Sequence, residues 1–181
     1  MMWKCLRMTA FWVLTAVVLA ACSAQSEPTA TFDLENQKEY GVNGMYLGQN
    51  IKEAMDILKP TKADFMDMVT RQSYTVEQMS QGAGDAVMGM LLVDQTQMMI
   101  KVHKGELTSI MLGGVPREDG QKFKTYRGLT MFDSAEQLEK LYGKGKGKGE
   151  QEVVYEGSKY TANFGLVDNQ VAWFRFDRKS S

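Results

Sequence analysis

The sequence predicts a mixed α+β body in which two tandem units, each a helix followed by a three-stranded antiparallel meander, pack as one domain. Three observations carry this reading. Two helical segments carry start signals, beginning at Asn50 and at Ser134. Two hairpin-forming stretches, "IKVHKGELTSIML" (Ile100–Leu112) and "FGLVDNQVAWFRF" (Phe164–Phe176), align without a gap from end to end. The third is the overlay of "MGMLLV" on "EVVYEG", which adds a strand ahead of each hairpin.

Lys4 and Arg7 precede an uncharged run from Met8 to Ala21. That run falls short of the roughly 20 apolar residues that a spanning helix needs. It fits the apolar region of a signal peptide over residues 1–21. Leu19-Ala20-Ala21-Cys22 resembles the bacterial lipobox. The resemblance implies cleavage before Cys22, a diacylglycerol on its thiol and a third acyl chain on the new amino terminus. One buried acyl chain binds a membrane marginally, whereas two or more anchor stably. Ser23 after the cysteine implies, by the enteric sorting pattern, the outer membrane with the body facing the periplasm. Residues 22–39, rich in small and polar side chains, read as a flexible tether. Cys5 and Cys22 are the only cysteines, so a body starting near Tyr40 has none to serve as nucleophile, disulfide or thiolate ligand. Without the signal, 19 basic residues face 22 acidic ones, a net of −3, which is no footprint for nucleic acid.

The body at 40–181 has the size of one domain. In its first half, "LGQNIKEAMDIL" (Leu47–Leu58) offers Asn50 as cap and Glu53 to close a capping box. Ala54, Ile57 and Leu58 supply an apolar stripe, and Pro60 ends the helix. In the second half, "MFDSAEQLEKLY" (Met131–Tyr142) repeats the plan with Ser134 as cap, Gln137 closing, Leu138, Leu141 and Tyr142 as stripe, and Gly143 as stop. The two helices match at a larger offset than the two hairpins, so the first unit (about 42–115) is longer than the second (about 124–178). Its extra residues, in "TKADFMDMVTRQSYTVEQMSQGAGDA", have room for a short helix and another strand. Each hairpin turns at a polar pair, Lys104-Gly105 in one and Asp168-Asn169 in the other. Further back, "MGMLLV" overlies "EVVYEG" as a third strand in each unit. One such unit can hardly bury its sheet face, whereas two together make a core.

The phrases "GMYLGQNIKEAMDILKP" and "YRGLTMFDSAEQLEKLYGK", each followed by a hairpin, resemble the repeat of β-lactamase inhibitor proteins and of the small lipoproteins of the outer-membrane barrel-assembly machinery. The resemblance covers about Val42 to Phe176 through loose motifs. It implies binding of other proteins rather than catalysis, an implication that a fold carries only weakly.

Candidate chemistry is sparse. "YGKGKGKGE" (Tyr142–Glu150) lacks the Lys-Ser/Thr ending of a phosphate-binding loop. It reads as a hydrated loop whose Lys144, Lys146 and Lys148 can reach anionic headgroups or an acidic partner. His103, the only histidine, falls beside a hairpin turn on the polar sheet face, which is a poor place for a Ser-His-Asp site or zinc. Glu118-Asp119 lie in a turn signal, "PREDG". Of fourteen methionines, eight fall between Met66 and Met111. Most read as pliable filling, but Met88 and Met90 share a strand face where thioethers can meet Cu(I), whereas Met98 and Met99 point to opposite faces. In "AWFRF", Trp173 and Arg175 alternate away from Phe174 and Phe176 and have the composition of an interface anchor. The expected function is therefore a membrane-anchored envelope lipoprotein acting as a non-catalytic protein-binding or assembly module, with an envelope protein as partner and no cofactor. An inhibitor or immunity lipoprotein blocking a toxin or hydrolase is the alternative, and Met-based copper binding a lesser one.

Overall fold

A computed structural model describes residues 31–147 and 151–179. The chain enters through a short 3-10 turn at Gln37–Glu39 and a small hairpin of β1 (Gly41–Val42) and β2 (Met45–Tyr46). Helix α1 (Ile51–Leu58) follows, then β3 (Lys62–Asp67), the short α2 (Val76–Ser80) and the meander β4 (Val87–Val93), β5 (Thr96–His103) and β6 (Glu106–Gly113). After a 3-10 segment at Arg117–Lys122 come α3 (Ala135–Tyr142), β7 (Lys146–Gly147), β8 (Glu152–Glu156), β9 (Tyr160–Val167) and β10 (Gln170–Arg178). Strands β3 to β10 form one antiparallel sheet in the order β3-β4-β5-β6-β10-β9-β8-β7.

Local chemistry accounts for the hairpins. Lys104 and Gly105 have φ 49° and 83°, and Asp168 and Asn169 have φ 50° and 61°. Positive φ at both central residues is what a two-residue turn needs to match strand twist. Both hairpins keep one register: Ile100 faces Ile110 and Phe164 faces Phe174. Each then skips one residue, Thr108 on β6 and Ala172 on β10, a bulge that bends the strand. The two meanders meet where β6 pairs with β10, with Met111 facing Arg175.

One sheet face is packed. Val87, Leu91, Met98, Ile100, Leu107, Ile110, Leu112, Ala162, Phe164, Phe174 and Phe176 are all at 1% exposure or less. Against them lie Ile51, Ala54 and Leu58 of α1 and Leu138 and Tyr142 of α3. Ser134 caps α3 by accepting from the Gln137 N–H at 3.1 Å.

Several expectations are corrected. Ile57 is 47% exposed, and the buried stripe of α1 is Ile51, Ala54 and Leu58. Asn50 accepts from the Lys52 N–H at 2.9 Å, one residue short of Glu53. A capping box does form in α2, where Thr75 and Gln78 bond each other reciprocally. The tether expected through residue 39 is overturned for residues 31–39. There the Phe32 ring packs tilted or edge-on against Tyr40, Tyr142 and Tyr155, and Glu39 is buried against Arg127. Lys146, expected in a loop, lies in β7, where it faces Val154. The extra residues of the first half hold β3 and α2. Residues 1–30, including Cys22, lie outside the described residues, as does Lys148.

Candidate functional site

The other sheet face carries no helix among the described residues. Directly facing residues of neighbouring strands share a face. One such row runs Met90, Met99, Met111, Arg175, Asn163, Val154 and Lys146 across seven of the eight strands. Met88, Leu92 and Trp173 stand on the same face by period-two alternation from Met90 and Arg175.

Trp173 faces a glycine on each side, Gly113 on β6 and Gly165 on β9. A Cβ on Gly165 would fall 1.8 Å from the indole nitrogen, so the ring lies across that glycine. Arg175 is held by its own strand. Its Nε lies 2.6 Å from Asp177 Oδ2, and its Nη2 donates to Oδ1 at 2.9 Å. The Ser109 hydroxyl donates to the same Oδ1 at 2.8 Å. Its charge is thus paired, and the side chain is pre-oriented in the open face.

Beside Trp173 a cleft of about 540 Å³ opens, walled by Met111, Val115, Phe132, Val167, Ala172 and Trp173, with Arg117, Asp168 and Gln170 as its polar lining. The Arg117 guanidinium sits 4.9 Å over the Phe132 ring and donates to Gln170 Oε1 at 3.1 Å. Phe132 itself has φ 68°. That left-handed conformation is rare for a bulky residue. Strain of this kind persists only where the surroundings hold it. The composition, mostly apolar with few convergent polar groups, is that of a binding cleft.

The structure brings Trp173 and Arg175 onto one face. Lys146 joins the same row on β7, with β9 and β8 between it and Arg175 on β10. Lys144 and Lys146 are exposed. His103 is exposed too, and its Nδ1 is 2.7 Å from the Asp85 carbonyl, so Nδ1–H donates there. No group of three or more His, Cys, Asp or Glu side chains among the described residues is placed to hold a metal ion. The sequence reading missed Arg117 and Phe132 because "PREDG" and "GLTMFD" carry only turn and helix-start signals. One clue was available for Phe132: aligning the two helices lays it over Gly48. A bulky residue over a glycine marks a place where the two halves differ.

No family model matches the chain, and no curated protein matches it. Among solved structures it is similar to an extracellular protein containing an SCP domain from Bacillus anthracis str. Ames. The identity is 10% and the TM-score 0.34, over 74% of this chain and 44% of that one. A likeness that distant carries no inference about fold or function.

Proposed function

We propose that this chain is a lipid-anchored envelope protein, built from two related units, that binds another protein through the open sheet face and performs no catalysis. The observation that supports it best is the face itself. Helices cover one side of the sheet and leave the other with Trp173, Arg175 and a row of half-exposed methionines beside an apolar cleft. Large aromatic and arginine side chains set in a pre-oriented surface are typical interface anchors. The matching turns and bulges of the two hairpins support the two-unit reading. Membrane attachment rests on the lipobox-like Leu19–Cys22 alone, and on that reading the outer membrane is the place of the anchor.

Site-specific photo-crosslinking in intact envelopes tests the proposal. A crosslinker at Val167, 58% exposed at the cleft, should capture one defined partner, and one at Ile57 on α1 should not. Equal capture from both positions, or none from Val167, would sink it. A captured hydrolase or toxin that loses turnover in the complex would replace assembly with inhibition. Mass spectrometry of the same preparation should find three acyl chains on Cys22.

A further inference from the structure

We propose that Met90, Met99 and Met111 form a thioether site for a soft monovalent metal, Cu(I), on the open sheet face. The inference goes beyond protein binding and does not depend on it. Met90 of β4 faces Met99 of β5, which in turn faces Met111 of β6. Directly facing Cα atoms in antiparallel strands are roughly 4.5 to 5.5 Å apart. The unbranched methionine side chain has three rotatable bonds beyond its backbone. The two outer sulfurs can therefore lean over Met99 and share one ion with it. Met88 stands two residues before Met90 on the same face and faces Met66 from β3, so further thioethers lie within reach.

The methionines that fill the core are different ones. Met45, Met79, Met98 and Met131 are at most 1% exposed, whereas Met90 is 39% exposed and Met99 and Met111 are half-buried. Sequence neighbours thus divide by face: Met98 packs inward and Met99 outward. Soft sulfur selects Cu(I) over the hard divalent ions. The charges around the row are engaged or set aside. Asp64, which faces Met90, is 3.2 Å from Lys62, and Arg175, which faces Met111, is held by Asp177. Lys101 faces Met88 rather than any of the three ligands. His103 stands at the far end of β5 beside the hairpin turn, bonded to the Asp85 carbonyl and away from the row.

The test uses the protein as isolated in detergent, with any cysteine thiol that processing leaves free blocked by N-ethylmaleimide. Cu(I) is delivered as its weakly held acetonitrile complex, and Ag(I) serves as a redox-silent probe. One equivalent should bind, moving the methyl NMR signals of Met90, Met99 and Met111 and leaving that of Met98 in place. Met99→Leu keeps volume and should weaken binding by about tenfold or more, about 1.4 kcal/mol or more. Met98→Leu should leave it unchanged. Because a thioether carries no proton to lose, affinity should stay flat between about pH 5 and pH 8, unlike a thiolate or imidazole site. No binding of either ion, equal losses in Met98→Leu and Met99→Leu, or binding that collapses below about pH 6.5, the usual imidazole range, would each overturn the site.

Discussion

Around its hairpin turn each half of the molecule has a frame of similar backbone bonds, and the two differ in what fills it. Gly48 N–H donates to the Leu107 carbonyl at 2.7 Å, and Phe132 N–H to the Val171 carbonyl at 2.8 Å. Ile51 N–H reaches the Gly105 carbonyl at 2.8 Å, and Ala135 N–H the Asn169 carbonyl at 3.0 Å. Each pair joins a helix start to the hairpin turn of its own half. Inside the frame, the first half buries Val87, Leu91, Met98, Ile100, Val102 and Leu107. The second buries a ring cluster in which Phe164 contacts Tyr142, Tyr155, Phe174 and Phe176 at centroid distances of 4.9 to 6.2 Å. Turn chemistry and strand register therefore fix the layout, while the packing is free to be aliphatic or aromatic so long as volume is filled.

Breaking the second half at its buried charge should have the largest effect. Arg127 Nη1 donates to both Glu39 oxygens, at 2.8 and 3.0 Å, with both side chains at 5% exposure or less. Its Nε donates to the Leu141 carbonyl, which ties the entry segment to α3. At the matching place in the first half stands Asn43, neutral, donating to the Lys122 carbonyl and accepting from Lys124 N–H, both at 2.9 Å. Glu39→Ala takes the carboxylate from a buried cation and should cost about 3 to 5 kcal/mol in urea unfolding. Asn43→Ala loses neutral bonds and should cost roughly 1 to 3 kcal/mol. Replacing Glu39 and Arg127 together by methionine should recover most of the first loss. Equal losses at the two sites would mean that the halves are held alike.

Alkaline pH should separate the halves next. Burial raises the phenol pKa of Tyr40, with Glu35 and Glu39 adding to it, and burial also raises that of Tyr142. Tyr155 is pushed up to about 12 by burial, with a smaller contribution from Glu139. All three phenols belong to the aromatic cluster. An unfolded tyrosine ionises near pH 10. Their contribution is therefore whole below about pH 10 and is lost as pH rises toward the folded values, because the unfolded chain releases its protons first. Tyr142 alone should remove about 1.4 kcal/mol per pH unit over that window. Tyr142→Phe should flatten the fall of the unfolding free energy between about pH 10 and pH 12 by that slope. An unchanged slope would mean that the phenol is not buried in solution.

What was legible in the sequence was local. Lys104-Gly105 and Asp168-Asn169 announce their turns, and alternation from those turns sets which of Trp173, Phe174, Arg175 and Phe176 face inward. What was not legible depended on distant partners. Phe32 follows a polar stretch that reads as tether, and only the rings of Tyr40, Tyr142 and Tyr155 give it a reason to be buried. The pairing of β6 with β10 joins strands far apart in the chain, and no local pattern encodes it. The cleft needs that pairing too, since it sets Met111 beside Trp173, while Arg117 and Phe132 come from separate loops. The α1 stripe is ambiguous in the sequence because Ala54, Ile57 and Leu58 satisfy helical spacing as well as Ile51, Ala54 and Leu58 do. The sheet face, with the neighbouring α2 and β2, decides between them.

The smallest expected effect is the most specific to the candidate site. Gly48 and Phe132 occupy matching left-handed positions, at φ 81° and 68°, and make matching bonds. For an L residue that conformation costs roughly 1 to 2 kcal/mol, so Gly48→Ala should destabilise by about that much. Phe132→Gly removes the same strain but loses the ring, which lies under Arg117 and against Gly120, where a Cβ would come within 2.6 Å of it. Strain relief and lost contact offset each other, so the net change should stay within about 1 kcal/mol. The cleft, however, loses a wall. Trp173 is the only tryptophan after Cys22, so in the cleaved protein its emission should shift to the red as water enters. Partner capture at Val167 should fall in the same variant. If Phe132→Gly instead cost more than about 3 kcal/mol, the ring would be a core element of the kind whose truncation is that expensive. The strained backbone would then serve the fold of the second half rather than its surface.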